Sequence, residues 1–170
     1  MADVIDPMRF RTVMGRFASG VTVVTYDHDG QPAGTTVNAF LSVSLNPALV
    51  LVSMRRESRF AHSVALGDTY GVNVLGEDQE HFSRHFGGSR QADLDEPFIH
   101  HRGTPLLFGS LAQIIAKVVD VHPAGDHLLY IGAVEFLACC TETRPLIFYS
   151  GKYKQVQARE PSLTWHSGEW

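Results

Sequence analysis

The first hydrophobic pattern along the chain has helical spacing. Asp6 is placed as an N-cap, Pro7 follows at the first helical position, and Gly20 is a natural stop. Between them, apolar residues recur every three or four positions, at Phe10, Val13, Met14 and Phe17. We therefore expect an N-terminal helix that lies against the core through this stripe.

Most of the remaining chain has the β-branched or continuously apolar pattern of strands. Seven segments have this character: VTVVTY, TTVNAFLSVSL, PALVLVSM, YGVNVL, SLAQIIAKVVDVHP, HLLYIGAVEFLACC and PLIFYSG. Two segments read as short helices, SRFAHSVALGD with Ser58 as cap and EDQEHFSRHFGG. PALVLVSM is apolar throughout, which predicts a strand buried on both faces. Brief turns between strands favour antiparallel pairing, and a closed or nearly closed barrel with peripheral helices leaves the fewest open edges.

Composition narrows the class of protein. The chain has 170 residues, of which 44% are hydrophobic and 19% charged, so we expect one domain over residues 1–170. A net charge of -4 argues against a broad phosphate-binding surface and hence against nucleic acid as the main partner. The start MADVIDPMRF lacks the basic region and apolar core of a secretory signal, and no apolar run approaches membrane-spanning length, so we expect a soluble intracellular protein. The adjacent Cys139 and Cys140 are poorly placed to bridge each other, which predicts reduced thiols in a cytoplasmic protein.

Two polar segments next to predicted strands are candidates for ligand binding. In the first, Gly34 precedes three small side chains that can donate hydrogen bonds, those of Thr35, Thr36 and Asn38. This segment can cradle a phosphate or bond the edge of a heterocycle; alternatively, Thr is simply a good strand residue. The second segment is the one dense basic cluster, Ser53, Arg55, Arg56 and Arg59 beside a predicted helix start. It reads as an anion receptor or as a solvated loop.

Histidines mark two further segments. His81 and His85 stand one helical turn apart, but the glutamate of the H-E-x-x-H zinc motif is absent, so we expect no metal site. Arg84 and Phe86 in the same segment can pair with phosphate or stack on a flat ring, although core packing also accounts for Phe86. Gly125 and Asp126 are typical of a turn, whereas His127 places a titratable imidazole at a strand mouth.

Three segments in this order, FASGVTVVT, GTTVNAFLSVSLNPALVLVSM and GDHLLYIGAVE, resemble the short-chain flavin reductase family. The resemblance runs from Phe10 to Tyr153. It implies a mainly β fold with peripheral helices, an antiparallel split β-barrel of Greek-key type that binds FMN or FAD, usually as a homodimer. It also implies an NAD(P)H:flavin oxidoreductase that supplies reduced flavin to a separate monooxygenase.

The resemblance also assigns roles to residues. Thr35, Thr36, Val37 and Asn38 would contact the isoalloxazine ring or ribityl chain, although Asn38 replaces a commonly small residue. Ser53, Arg59 and Phe60 would receive the flavin phosphate, and Arg84 and Phe86 would border the flavin. Gly125, Asp126 and His127 form the turn associated with nicotinamide binding, with His127 near the reactive face of the flavin. Tyr149 and Tyr153 would contact either the flavin or a second subunit.

The implied reaction transfers a hydride from NADH or NADPH to the flavin, and the protein's part is placement. The choice between FAD and FMN stays open. One alternative is a flavin-binding electron carrier of the same barrel type, which would have no need for His127. Another is a relative of the pyridoxamine-phosphate oxidases, which would need a phosphate site for a smaller ligand.

Overall fold

A computed structural model of the chain describes residues 5–89, 94, 98–140 and 143–157. It contains the helices α1 (Pro7–Met14), α2 (Arg59–Ser63) and α3 (Glu80–Phe86), the last preceded by a 3₁₀ turn at Glu77–Gln79. The strands are β1 (Ser19–Gly20), β2 (Thr22–His28), β3 (Gln31–Val37), β4 (Phe40–Leu45), β5 (Ala48–Arg55), β6 (Thr69–Val74), β7 (Phe98–His101), β8 (Thr104–Leu107), β9 (Ala112–Ala124), β10 (His127–Cys139), β11 (Leu146–Tyr149) and β12 (Lys152–Gln155). None of the helices described is long and apolar enough to cross a bilayer.

Seven strands form one antiparallel sheet in the order β3-β2-β6-β9-β10-β5-β4. Its two edge strands, β3 and β4, are consecutive in the chain and are separated only by Asn38 and Ala39. The sheet must therefore curl until its edges come together at this link. No ladder joins β3 to β4 in the described parts of the chain, so the sheet is rolled but open. The predicted antiparallel β architecture is confirmed at this level.

An aromatic cluster fills the inside of the rolled sheet. The ring of Phe60 lies edge-on to Tyr26, Tyr70 and Tyr130, with centroids 5.1, 5.7 and 5.0 Å away. Gly132 lacks a side chain where a Cβ would collide with the Tyr70 hydroxyl. Burial raises the pKa of all three phenols above the ordinary value. The interior is thus a packed core and leaves no channel for a ligand among these rings.

A second apolar cluster covers the outer face of β2. It consists of Val21, Val23, Leu75, Phe82, Leu107 and Leu146, with Phe86 packed against it. Helix α3 lies on this face, and its Phe86 ring sits so close to Gly34 that a Cβ there would be 2.8 Å from the ring. Gly34 is therefore needed for the approach of α3 to β3.

The N-terminal helix forms as expected but does not pack as expected. The Asp6 carboxylate accepts hydrogen bonds from the N–H groups of Met8 (3.3 Å) and Arg9 (3.0 Å), and the helix ends at Met14 rather than near Gly20. The prediction that its stripe lies against the core is wrong, because α1 buries none of its residues. The four stripe residues are between 51% and 76% exposed. None of the four stripe residues belongs to the two clusters described above, so the stripe stays uncovered within the described chain.

Three further predictions about strands need correction. TTVNAFLSVSL is two strands, β3 and β4, because the chain turns from one sheet edge to the other at Asn38 and Ala39. Strand β5 alternates between fully buried and half-buried positions, so the expected burial on both faces is only partial. The hairpin of β7 and β8 and the strand β12 were not predicted. They are four-residue strands, too short to show a period of two.

Candidate active site

Three distant segments meet in a pocket of about 370 Å³ at one end of the rolled sheet. We call it the central pocket; it is lined by Thr35, Thr36, Val37, Asn38, Ala39, Ser53, Met54, Arg55, Ser58 and His127. The segments are the end of edge strand β3, the passage from β5 to α2, and the start of β10. The structure therefore brings together Thr35 to Asn38, Ser53 and His127, which the resemblance assigned to flavin and nicotinamide binding.

Strand register explains why these side chains share a pocket. In β5, Val52 and Met54 point into the core, so Ser53 and Arg55 point to the opposite face. His127 pairs with Arg55 across the β5–β10 ladder, and paired residues project to the same face. The imidazole is 35% exposed, so one end of the sheet presents a hydroxyl, a guanidinium and an imidazole to solvent.

The turn before His127 fixes the tautomer of its ring. Ala124 pairs with His127, which leaves Gly125 and Asp126 as a two-residue hairpin turn, and Gly125 has a φ of +61° that L side chains rarely adopt. His127 Nδ1–H donates to Asp126 Oδ1 over 2.8 Å. The hydrogen bond and the charge of His127 lower the pKa of Asp126 below its ordinary value, so the carboxylate is ionised and only accepts. The hydrogen is therefore on Nδ1, and Nε2 is the ring nitrogen that Asp126 leaves available.

The three arginines of the basic cluster lie in different places and make different contacts. Arg55 lines the central pocket. Arg56 contacts the turn before His127, where its Nε–H donates to the carbonyl of Gly125 over 2.9 Å. Arg59 lies elsewhere, in a second pocket described below. Sequence reasoning singled out the cluster, but neither Arg55 nor Arg56 was assigned a role in the site.

The lateral pocket, of about 280 Å³, is lined by Pro32, Ala33, Gly34, Arg59, His85, Phe86 and Gly88. It contains two residues predicted to contact the flavin, Arg59 and Phe86. Phe60, the neighbour of Arg59, was predicted to contact the flavin phosphate, but its side chain is 0% exposed at the centre of the aromatic cluster. This part of the prediction needs correction, because Phe60 is wholly buried and lines neither the central nor the lateral pocket.

The α3 pocket, also of about 280 Å³, is lined by Thr36, Asn38, Ser83, Arg84, Gly87, Ser89, Phe148 and Tyr153. It shares Thr36 and Asn38 with the central pocket. Arg84 is paired with Glu80 (Nη2 to Oε1, 2.6 Å), and its guanidinium lies 5.0 Å from the ring centre of Tyr153. Because Glu80 balances its charge, Arg84 is less suited to phosphate than the sequence indicated.

Hydrogen bonds hold the α3 pocket together. The Thr36 hydroxyl donates to the carbonyl of Ser83 (2.7 Å), and the Ser83 and Tyr153 hydroxyls are 2.8 Å apart. The Asn38 amide donates to the hydroxyl of Ser19 (2.9 Å), which turns its nitrogen toward β1.

Tyr149 is not among the residues that line these three pockets. Within the described part of the chain, no group of three or more His, Cys, Asp or Glu side chains is placed to hold a metal ion.

Comparison with known proteins identifies the family. The family model described as "Flavin reductase like domain" matches residues 14–157. The chain belongs to this family. It is 41% identical to an NADH-dependent flavin reductase of Rhodococcus sp, over 90% of this chain and 88% of that protein. It is 39% identical to the reductase subunit HsaB of a flavin-dependent monooxygenase of Rhodococcus jostii, over 92% of this chain and 81% of that protein.

A solved structure agrees with the assignment. The flavin reductase PheA2 in its native state superposes with a TM-score of 0.83 at 42% identity, and the match covers 91% of this chain and all of that one. The resemblance read from the sequence is confirmed by these matches.

The central pocket of this flavin reductase-like chain fits a flavin by the chemistry of its lining. Hydroxyls of Thr35, Thr36 and Ser53 are donors and acceptors for the edge of a heterocycle. Arg55 supplies a positive charge, while Val37 and Met54 border the pocket from the core, in which both are buried. Seven of its ten lining residues are polar, which suits the many hydrogen-bonding atoms of a flavin.

Proposed function

We propose that the chain is an NADH-dependent flavin reductase that supplies reduced FMN or FAD to a separate monooxygenase. The central pocket carries this proposal, because it sets His127 among the hydroxyls of β3 and β5. The Rhodococcus NADH-dependent flavin reductase and the monooxygenase reductase subunit HsaB support the donor and the partner. NADH is the proposed donor, and NADPH is the alternative that the assay below compares.

Each segment of the pocket has a proposed part in placing the substrates. Thr35, Thr36, Val37 and Asn38 lie along the isoalloxazine ring and ribityl chain, and Ser53 bonds the flavin from β5. Arg59, with Phe86 beside it in the lateral pocket, is the charged side chain proposed for the phosphate. Arg84 and Tyr153 border the flavin from the α3 pocket. The reduced nicotinamide and the flavin together supply the hydride-transfer chemistry.

His127 is proposed to position the nicotinamide, with Gly125 and Asp126 shaping the turn that carries it. Because Asp126 accepts the hydrogen bond from Nδ1–H, the ring is held in one tautomer and one orientation. A fixed imidazole at the pocket edge restricts how a second planar ring can lie there. Placement at near-contact distance is where a protein contributes most to hydride transfer.

A homodimer is proposed from the uncovered face of α1. Its exposed residues Phe10, Val13 and Met14, with Phe17 just beyond its end, form one apolar stripe, and large stripes of this kind mark interaction surfaces. The turn after α1 is bonded to the β11–β12 hairpin, where the N–H of Ser150 donates to the carbonyl of Gly15 over 2.8 Å. A second copy that covers α1 would therefore also approach Tyr149, which gives this residue a proposed role as a subunit contact.

Three further expectations, about the domain, the fold and the cellular compartment, belong with this proposal. Residues 1–170 act as one domain, the rolled sheet is the split barrel of the family, and the protein works in the cytoplasm. The free thiols of Cys139 and Cys140 support the last expectation, because cytoplasmic cysteines are kept reduced.

The test is an assay of NADH oxidation with purified protein. NADH and NADPH are each mixed with FMN or FAD, and loss of the reduced-nicotinamide absorbance is followed. Catalytic oxidation that depends on added flavin establishes the reductase and identifies both substrates. Tight flavin binding without oxidation of either nucleotide would instead establish the electron carrier.

A further inference from the structure

We infer that Arg56 is a positioning residue, which clamps the turn at Gly125 and Asp126 and so fixes the place of His127. The inference rests on the proposed function, because it acts through the role of His127 in nicotinamide binding. It adds a residue that lies outside the central pocket.

The clamp consists of two hydrogen bonds from one residue to both carbonyls of the turn. Arg56 Nε–H donates to the Gly125 carbonyl (2.9 Å), and the Arg56 backbone N–H donates to the Asp126 carbonyl (3.1 Å). The two segments are 69 residues apart in the chain, and the bonds extend the β5–β10 pairing past its last register pair, Arg55 with His127. Carbonyls at a hairpin tip ordinarily bond to water, so a protein donor on each of them is a specific restraint.

The restraint is transmitted to His127 through Asp126. The Asp126 carbonyl is bonded to Arg56, and its carboxylate accepts from His127 Nδ1 over 2.8 Å. Since Gly125 is conformationally permissive, the turn alone would leave the direction of the Asp126 peptide weakly defined. With both carbonyls held, the carboxylate and the imidazole have one relative position.

Geometry rather than charge is the property that Arg56 contributes. Its side chain is exposed and supports no core contact, so its removal does not open a cavity. The charged groups that act on Asp126 are His127 and Arg55, and Arg55 is left in place by any change at position 56. A lysine would retain the positive charge of Arg56 but lacks the planar N–H group that meets the Gly125 carbonyl.

The experiment compares Arg56→Met and Arg56→Lys with Arg9→Met, a control at an exposed arginine of α1 that lines none of the three pockets. Hydrogen exchange of the peptide covering residues 121–130 is measured by mass spectrometry, together with KM for NADH and Kd for flavin. We expect both Arg56 variants to speed exchange of this peptide and to raise KM for NADH about three- to tenfold, the loss expected for one hydrogen bond. Flavin Kd stays within about twofold, since the β3 side of the pocket is unchanged.

A double variant separates positioning from direct binding. In the His127→Ala background, Arg56→Met is expected to cause no further rise in KM, because the side chain that it positions is gone. An equal rise with and without His127 would show that Arg56 binds the nucleotide directly, and the inference would be wrong. Retention of wild-type KM by Arg56→Lys would overturn it as well, because charge alone would then suffice.

Failure of the proposed function gives a different result. If no variant, including the wild type, oxidises NADH, the reductase proposal fails, while the exchange of residues 121–130 still decides whether Arg56 clamps the turn. Unchanged exchange in Arg56→Met would refute the clamp whatever the activity.

Discussion

Two hairpin turns of this molecule use the same residue types and differ in what they do. The β2–β3 turn consists of Asp29 and Gly30 and follows Asp27 and His28 at the end of β2, and the β9–β10 turn consists of Gly125 and Asp126 before His127. In the first turn, the Asp27 carboxylate accepts from the N–H of Gly30 (2.8 Å), and φ is positive at both Asp29 and Gly30, as in type I′ turns. This turn is closed by its own residues.

The second turn is held from outside, and its histidine lines the central pocket. His28 precedes its turn and is hydrogen-bonded to Ser63 of α2 (2.7 Å), whereas His127 follows its turn and pairs with Arg55. Asp, Gly and His at a hairpin therefore indicate a turn and nothing more. Function depends on which neighbouring strand the register places beside the histidine.

The largest expected difference between the turns is at their histidines. His127→Ala is expected to lower kcat/KM for NADH by about tenfold to a hundredfold, because a positioning contact for the reacting ring is lost. His28→Ala, the matched control, should leave turnover unchanged. Steady-state kinetics and flavin titration measure both; similar turnover in the two variants would break the comparison and remove His127 from the mechanism.

The next difference is at the two aspartates. Asp126→Asn is expected to lower kcat/KM for NADH about three- to tenfold. An amide can accept from a protonated Nδ1 or donate to an unprotonated one, so it no longer selects one tautomer of His127. Asp27→Asn should affect only stability.

The titration of Asp126 tests the same contact without an activity assay. Its lowered pKa means that the stabilising pair with His127 is present above the ordinary value of 3.8 and is lost as the pH falls through the lowered pKa. Carbon NMR of the carboxyl should give a midpoint below 3.8, and His127→Ala should raise it toward that value, because His127 supplies the two largest causes of the lowered pKa. An unchanged midpoint would contradict the pairing.

A smaller effect is expected at the glycines. Gly30 and Gly125 both have positive φ, so alanine at either position should lower the free energy of unfolding by about 1 kcal/mol. Urea denaturation measures this loss. Only Gly125→Ala should also raise KM for NADH; a rise in both variants would mean that the kinetic effect reports general loosening.

The smallest effect on stability is expected from a change in the interior, away from both turns, and this change serves as a reference for the turn variants. The Tyr70 hydroxyl has no hydrogen-bond partner among the described residues, so Tyr70→Phe should change the free energy of unfolding at neutral pH by less than about 1 kcal/mol. Turnover should be unaffected.

The burial of the Tyr70 phenol makes the free energy of unfolding depend on pH in the alkaline range. Because burial raises its pKa, the native state keeps its proton where the unfolded chain ionises, so stability is complete below pH 10.0 and falls above it. Tyr70→Phe should make this alkaline loss shallower in urea denaturation. An identical pH dependence in both proteins would contradict the assigned burial.

Local features were predictable from the sequence, and features that depend on distant chain were not. The Asp6 cap and the turn at Gly125 involve neighbours in the chain, and both were predicted. The exposure of Phe10 depends on which surfaces other elements have already covered, and periodicity carries no information about that. The link at Asn38 and Ala39 was hidden because both flanking segments have strand character.

In the candidate site, too, some residues could be assigned from the sequence, whereas contacts between distant segments could not. Thr35 to Asn38, Ser53 and His127 were assigned through resemblance, and the structure brings them together in one pocket. Arg56 was grouped with its basic neighbours because charge is visible in a sequence, whereas its partner carbonyl at Gly125 is 69 residues away. The pairing of Arg84 with Glu80 had a visible signal, a spacing of four residues on one helix face, that was not used.

The short link between β3 and β4 makes the binding site a seam in the rolled sheet. Along this seam, in the described chain, the edges are joined by Asn38 and Ala39 and not by a ladder, and the Ala39 carbonyl accepts from the Ser53 N–H of β5 (3.0 Å). The outer backbone groups of an edge strand are free to pair with an incoming molecule. Under the proposed function, a flavin bound beside this link leaves the ladders of all seven strands intact when it departs. A docking place of this kind suits a molecule that is handed on rather than kept.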